Sequence, residues 1–227
     1  MGSDCMKIVG HRGARGLAPE NTLAAISAAL DAGVDEIEID VRLSKDGVVV
    51  LLHDRVMPVG AKLQLVAFLS KRSIKAAKPD VAFLDEAISL INRRVPLMIE
   101  VKAAVPIEPV VAIVQSFLDA GWQPQDFSFG SFSQRTLEAL HAAMPQIPCV
   151  VIEHFSGRRA LRRAQGVDTH TISLNHIFLR QSFIRKATHR GYNVYAYTVN
   201  QPVRAAKLQA AGLAGVITDR PDLFAKE

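Results

Sequence analysis

Five times along this chain a helical pattern ends at a glycine and an apolar run follows within a few residues, at Gly33, Gly121, Gly166, Gly191 and Gly212. Glycine just past a helix accepts the left-handed turn that ends it. Helices alternating with short apolar strands build parallel βαβ units. Strands are expected at 7–10, 36–41, 97–101, 127–130, 148–152, 171–174, 193–197 and 215–218. Helices are expected near 22–32, 84–92, 107–120, 134–143, 158–165, 180–190 and 203–211. Eight strands in 227 residues fit one (β/α)8 TIM-type barrel spanning 1–227. The alternative is a doubly wound open sheet. It wants a glycine-rich dinucleotide loop after the first strand, and Gly10, Gly13 and Gly16 lack that spacing.

One break interrupts the rhythm. Asp46-Gly47 between apolar runs signals a β-hairpin, with 48–52 as the return arm. Counting outward from that turn sets Asp40 opposite His53. The segment 54–82 then reads as an insertion over the strand ends, with Pro58, Gly60, Pro79 and the basic run Lys71, Arg72, Lys75 and Lys78. Such an insertion is expected to border the barrel mouth and to set tolerance for part of the substrate.

The strands carry unusual side chains. Alternation places Glu38 and Asp40 on one strand face, and Glu100 with Lys102 on the next strand. Buried carboxylates need a partner, either a cation or a structural ion pair. Three carboxylates at one barrel rim suit a hard divalent cation, Mg2+ or Ca2+, better than zinc. His11 ends the first strand and His53 ends the hairpin, so both reach the same rim as an acid/base pair. Arg12 and Lys102 supply positive charge for a phosphate. The assembly suits attack on phosphorus.

The order HRGARGLAPENTLAA, E-x-D with its hairpin, HD, IEVK, SFS, SLNH, YTVN and GVITDRPD resembles the glycerophosphodiester phosphodiesterase family, within the phospholipase-C-like barrels. The resemblance covers nearly the whole chain. It implies hydrolysis of glycerophosphodiesters to glycerol 3-phosphate and an alcohol. It implies that Glu38, Asp40 and Glu100 hold the metal, that His11 and His53 are catalytic, and that Arg12 and Lys102 meet the phosphate. Tyr197 stands where the family usually has tryptophan, and it and His176 are further candidates for substrate contact. Residues 55–60 replace an Arg-Thr-Thr element common in the family, which bears on headgroup preference.

Composition narrows the partners. The net charge of +5 favours anionic ligands. Arg158, Arg159, Arg162 and Arg163 share a helical face without interleaved aromatics, which argues for a solvated surface and against nucleic acid. No apolar run is long enough to cross a bilayer, so no stable membrane anchoring is expected. Cys5 is terminal and Cys149 sits among apolar residues, so neither a disulfide nor a cysteine metal site is expected. The reading is a reduced, cytoplasmic monomer or homodimer acting on a small phosphodiester.

Overall fold

A computed structural model describes residues 6–224. Cys5 lies outside them. Eleven strands and eight α-helices follow in order. β1 (Lys7–His11) leads to α1 (Leu23–Asp31) and β2 (Glu36–Leu43). The hairpin returns through β3 (Val49–Leu51), and the insertion holds β4 (Val56–Val59), β5 (Lys62–Leu65) and α2 (Lys71–Ala77). The alternation then resumes with α3 (Leu84–Ile91), β6 (Leu97–Val101), α4 (Glu108–Asp119), β7 (Phe127–Ser131) and α5 (Gln134–Ala143). It ends with β8 (Cys149–Glu153), α6 (Gly157–Gln165), β9 (Thr171–Asn175), α7 (Gln181–His189), β10 (Asn193–Tyr197), α8 (Pro202–Gln209) and β11 (Gly215–Thr218). A 3-10 turn, Pro221–Phe224, stands where an eighth helix would follow.

The sheet runs β1-β11-β10-β9-β8-β7-β6-β2, and β1 pairs back onto β2. Eight parallel strands therefore close into a barrel, and the open-sheet alternative falls away. The apolar residues of β2, Ile37, Ile39 and Val41, face the surrounding helices and are fully buried in the main core. The acidic residues between them face inward. Val9, Tyr195 and Ile217 pack together as a separate cluster inside the barrel, so Tyr195 is filling and not a ligand contact.

β3 is the return arm of a hairpin and not a barrel strand, since the one named strand it pairs with is β2, antiparallel, beside a single bridge from Val50 to Phe83. Its register corrects the expected pairing by one residue. Ser44 N–H donates to Val48 O, and Gly47 N–H to Ser44 O, so the loop holds three residues. Gly47 takes the left-handed position that such a loop needs, with φ +78°. Val41 then faces Leu51, and Leu52 N–H donates to the Asp40 carbonyl at 3.1 Å. Asp40 therefore lies across from Leu52, and His53 is one residue farther on. The pairing of Asp40 with His53 would need a turn of two residues.

Cys149 begins β8 with 3% of its surface exposed, and burial pushes its thiol up to about 11. A thiol reagent is expected to label it slowly until the protein unfolds, because the thiolate is the reactive form. Rapid labelling of the native protein would contradict that placement. Among the described residues, no helix is long and apolar enough to cross a membrane.

Candidate active site

The loop after β1 sets the geometry. Arg12 and Gly13 both turn left-handed, at φ +52° and +81°. A Cβ on Gly13 would meet the Ala25 backbone at 2.5 Å, so only glycine fits there. This turn aims the Arg12 N–H at Glu38 Oε2, 3.0 Å away. The loop closes at Asn21, again left-handed at φ +57°. Its amide donates to Asp40 Oδ2 at 2.9 Å and accepts from the Asp40 N–H at 3.1 Å. Thr22 then caps α1 by accepting the Ala25 N–H. The HRG and ENT residues thus hold the two carboxylates of β2 from one side.

Strand register supplies the third. Asp40 pairs with Glu100 across β2 and β6, while His11 pairs with Glu38 across β1 and β2. Oxygens of Glu38, Asp40 and Glu100 all lie within 4.8 Å of one another, and all three residues are buried. The Lys102 ammonium bridges Asp40 and Glu100. The Arg12 guanidinium pairs with Asp40 at 3.1 Å and with Glu20 at 2.8 Å. Among the described residues, no ion pair is formed by Glu38.

Three carboxylates therefore meet two cations, and the imbalance appears in their acidities. Burial, Asp40 and Glu100 push Glu38 well above the ordinary range. Burial also raises Asp40, but Lys102 and Arg12 outweigh it and hold that group low. Burial and Asp40 lift Glu100 to about 7 against the pull of Lys102. An excess of closely grouped oxygen anions with a raised pKa is the donor chemistry of a hard divalent cation. The residues fit such an ion.

Each histidine is backed by a carboxylate. His11 Nδ1 lies 2.6 Å from Asp219 Oδ1, and His53 Nδ1 lies 2.8 Å from Asp54 Oδ1. A carboxylate accepts only, so Nδ1 donates and Nε2 is left for the cavity. Asp219 is itself gripped by Asn200 Nδ2 at 2.9 Å. Burial pushes Asp219 up, but the bonds from His11 and Asn200 hold it below the usual range. Burial and the charge of Lys102 lower His53, with Asp40 opposing. Arg42 anchors the His53 carbonyl through Nε at 2.9 Å and Nη2 at 2.6 Å. That clamp brings His53 to the rim although it is one residue off the expected register.

A cavity of about 310 Å³ opens above these groups. It takes in His11, Arg12, Glu38, His53, Glu100 and Lys102, and Asp40 lies directly behind Lys102. Tyr197 lines it as well, donating its hydroxyl to Glu153 O at 3.1 Å and meeting Phe132 edge to face. His176 does not line it. His176 sits one residue past β9 with Nδ1 buried, and its carbonyl accepts from Arg204. His154 does line the cavity, and its ring meets Phe155 at 4.3 Å. No residue of the insertion 54–82 lines the cavity. The insertion borders a separate groove instead, with Arg55, Leu65, Val66 and Ala67.

Sequence reasoning missed Asp219, Asn21, Asn200, Arg15 and Ser173. Arg15 lines the cavity and pairs with Asp219 and Glu20. Ser173 also lines it, with a buried hydroxyl that has no partner among the described residues. The motifs HRGARGLAPENTLAA, SLNH, YTVN and GVITDRPD held all five, but nothing in their spacing says what they touch.

The basic run on α6 divides in two. Arg159 and Arg163 turn back onto the buried Glu153, with Arg159 Nε 2.5 Å from Oε2. Arg158 and Arg162 stay exposed. Burial pushes Glu153 up, but the bonds and charge of Arg159 and the N–H bonds from Phe155 and His154 together hold it down to about 2. A depressed carboxylate stabilises the fold above its unfolded pKa, and the effect fades as pH falls through the folded value. Glu153→Gln is expected to lower the thermal midpoint at neutral pH, with the gap to the unaltered chain closing as pH falls from about 4.5 towards about 2. Melting curves across that range check it, and a gap that stays constant with pH would contradict it.

A family model, the glycerophosphoryl diester phosphodiesterase family, matches residues 11–223. The chain belongs to that family. Membership makes it a phosphoric diester hydrolase by family. Among its relatives, YhdW of Bacillus subtilis strain 168 is 30% identical, covering 98% of each chain. A glycerophosphodiester phosphodiesterase of the same organism is 25% identical and covers 98% of this chain and 86% of its own. Among solved structures, an Oleispira antarctica phosphodiesterase in complex with the product sn-glycerol-3-phosphate aligns with TM-score 0.84 and 28% identity. That alignment covers 96% of this chain and 94% of the other. The glycerophosphodiester phosphodiesterase of Agrobacterium tumefaciens C58 aligns with TM-score 0.81 and 26% identity, covering 97% and 99%.

Proposed function

We propose that this chain hydrolyses glycerophosphodiesters to glycerol 3-phosphate and an alcohol, using a divalent cation, Mg2+ or Ca2+, and two histidines. The observation that carries the reading is the cavity in which two carboxylate-backed imidazoles face a cluster of three buried carboxylates. The product complex of the Oleispira relative supports the substrate class. Glu38, Asp40 and Glu100 would hold the cation, which supplies charge stabilisation to a phosphoryl oxygen.

The chain's own groups do the rest. His53, kept neutral by burial and by Lys102, takes the proton from the attacking oxygen at Nε2. His11, held through Nδ1 by Asp219, gives a proton to the leaving alkoxide. Arg12 and Lys102 bring positive charge to the phosphate, and Arg15 and the free Ser173 hydroxyl are further donors on the same wall. Tyr197 and Phe132 shape an apolar side of the cavity. His176 reaches the substrate only indirectly in this arrangement, through the backbone bond of its N–H to Tyr197 O.

The test is direct. Purified protein is given glycerophosphocholine with Mg2+ or Ca2+, and glycerol 3-phosphate is measured. Appearance of glycerol 3-phosphate and choline in equal amounts is expected. Product absent with either ion, or release of phosphocholine instead, would overturn the reading.

A further inference from the structure

Nine large hydrophobic side chains are exposed among the described residues: five lie between a barrel strand and the helix that follows it, Leu63 and Phe68 lie in the insertion, Val203 in the first turn of α8 and Leu223 in the 3-10 turn after β11. None lies on the connections that return from a helix to the next strand. In a parallel barrel the first set of connections gathers at one end, the end that carries the catalytic cavity. Scattered exposed hydrophobics are ordinary, but confinement to one end of the barrel is not. The most exposed are Phe68 at 73%, Leu63 at 72%, Ile177 at 71% and Phe155 at 66%. Phe155 and Phe178 touch at 5.3 Å and border a groove of about 190 Å³ that shares His154 with the catalytic cavity.

Charge follows the same division. The insertion carries Arg55, Lys62, Lys71, Arg72, Lys75 and Lys78 against only Asp54 and Asp80. At the opposite end Arg93, Arg94 and Arg190 are matched by Asp35, Asp126 and Asp168. Arg158 and Arg180 flank the Phe155 groove.

We propose that the catalytic end of the barrel docks reversibly on an anionic lipid surface. Side chains from separate loops, ringed by cations, suit shallow insertion between headgroups. A single small ligand would reach only one loop at a time. With no helix able to span a bilayer among the described residues, the attachment is peripheral. The proposal is independent of the hydrolytic reading, because its readout is partition onto vesicles and not turnover.

The experiment is co-sedimentation with large vesicles of phosphatidylcholine, with and without phosphatidylglycerol. The unaltered protein is expected to bind the mixed vesicles, to bind pure phosphatidylcholine much more weakly, and to be released by salt. Phe155→Ser with Phe178→Ser should lower partition by roughly tenfold. Lys62→Gln and Arg72→Gln should each lower it by about fivefold, since each cation near such a surface acts independently. None of these four lines the catalytic cavity, so turnover of water-soluble glycerophosphocholine, or the melting curve if there is none, should match the unaltered protein and report that the fold is intact. Failure to bind either vesicle would overturn the proposal and leave a protein as the partner of that face. Equal binding to both vesicles, or variants that bind as the unaltered protein does, would overturn it as well.

Discussion

His11→Ala and His53→Ala are each expected to lower kcat by roughly 10²–10⁴-fold, the range for loss of a positioned acid or base. The double variant should fall by much less than the product of the two losses, because the groups act as a unit. Neither change should disturb folding, since both rings sit at the cavity rim and their nearest bonds are to Asp219 and Asp54. Asp219→Asn removes the carboxylate that orients the His11 ring and should lower kcat while KM changes little. An unchanged kcat for His53→Ala would refute its role, and with it the value of the Arg42 clamp on its carbonyl.

Chelation is expected to abolish turnover, and added Mg2+ or Ca2+ to restore it. Glu38→Gln should weaken cation binding the most among single carboxylate changes. Glu38 forms no ion pair among the described residues, whereas Asp40 and Glu100 already share Lys102. The same substitution should leave the melting temperature unchanged or raise it slightly, because it removes a buried charge whose pKa is already pushed up. Isothermal titration with each ion reads the affinity directly. Full activity after exhaustive metal removal would sink the proposed cation, whatever the histidine variants do.

Much of this was legible because barrel folding is written in local patterns. The glycine-punctuated rhythm located all eight barrel strands and all seven helices between them, since both patterns depend on residues close in sequence. Alternation alone placed Glu38 and Asp40 inward, and Asp40 pairs with Glu100 because adjacent parallel strands start in step. What depended on one residue more or less in a turn was not legible. The loop of three at Asp46-Gly47 moved His53 off its expected partner, and only the long-range Arg42 contact recovered its position. Asp219 escaped for a different reason. It meets His11 across 208 residues of chain, through the closure of β1 against β11, and no local pattern encodes that meeting. Strand position puts Arg12 and Lys102 at the rim as positive charge for a phosphate, but it does not show that Glu20 and Asp40 pair with the Arg12 guanidinium or that Asp40 and Glu100 pair with Lys102.

The ammonium of Lys102, seated between Asp40 and Glu100, makes catalytic competence and structural soundness separable properties of this molecule. A strand that brings its own counter-ion does not rely on a borrowed one to hold its carboxylates together. Preparations stripped of divalent ions during purification should therefore pass every test of nativeness, such as elution volume, circular dichroism and protease resistance, and still be inert. An inactive batch would be a matter of reconstitution and not of refolding.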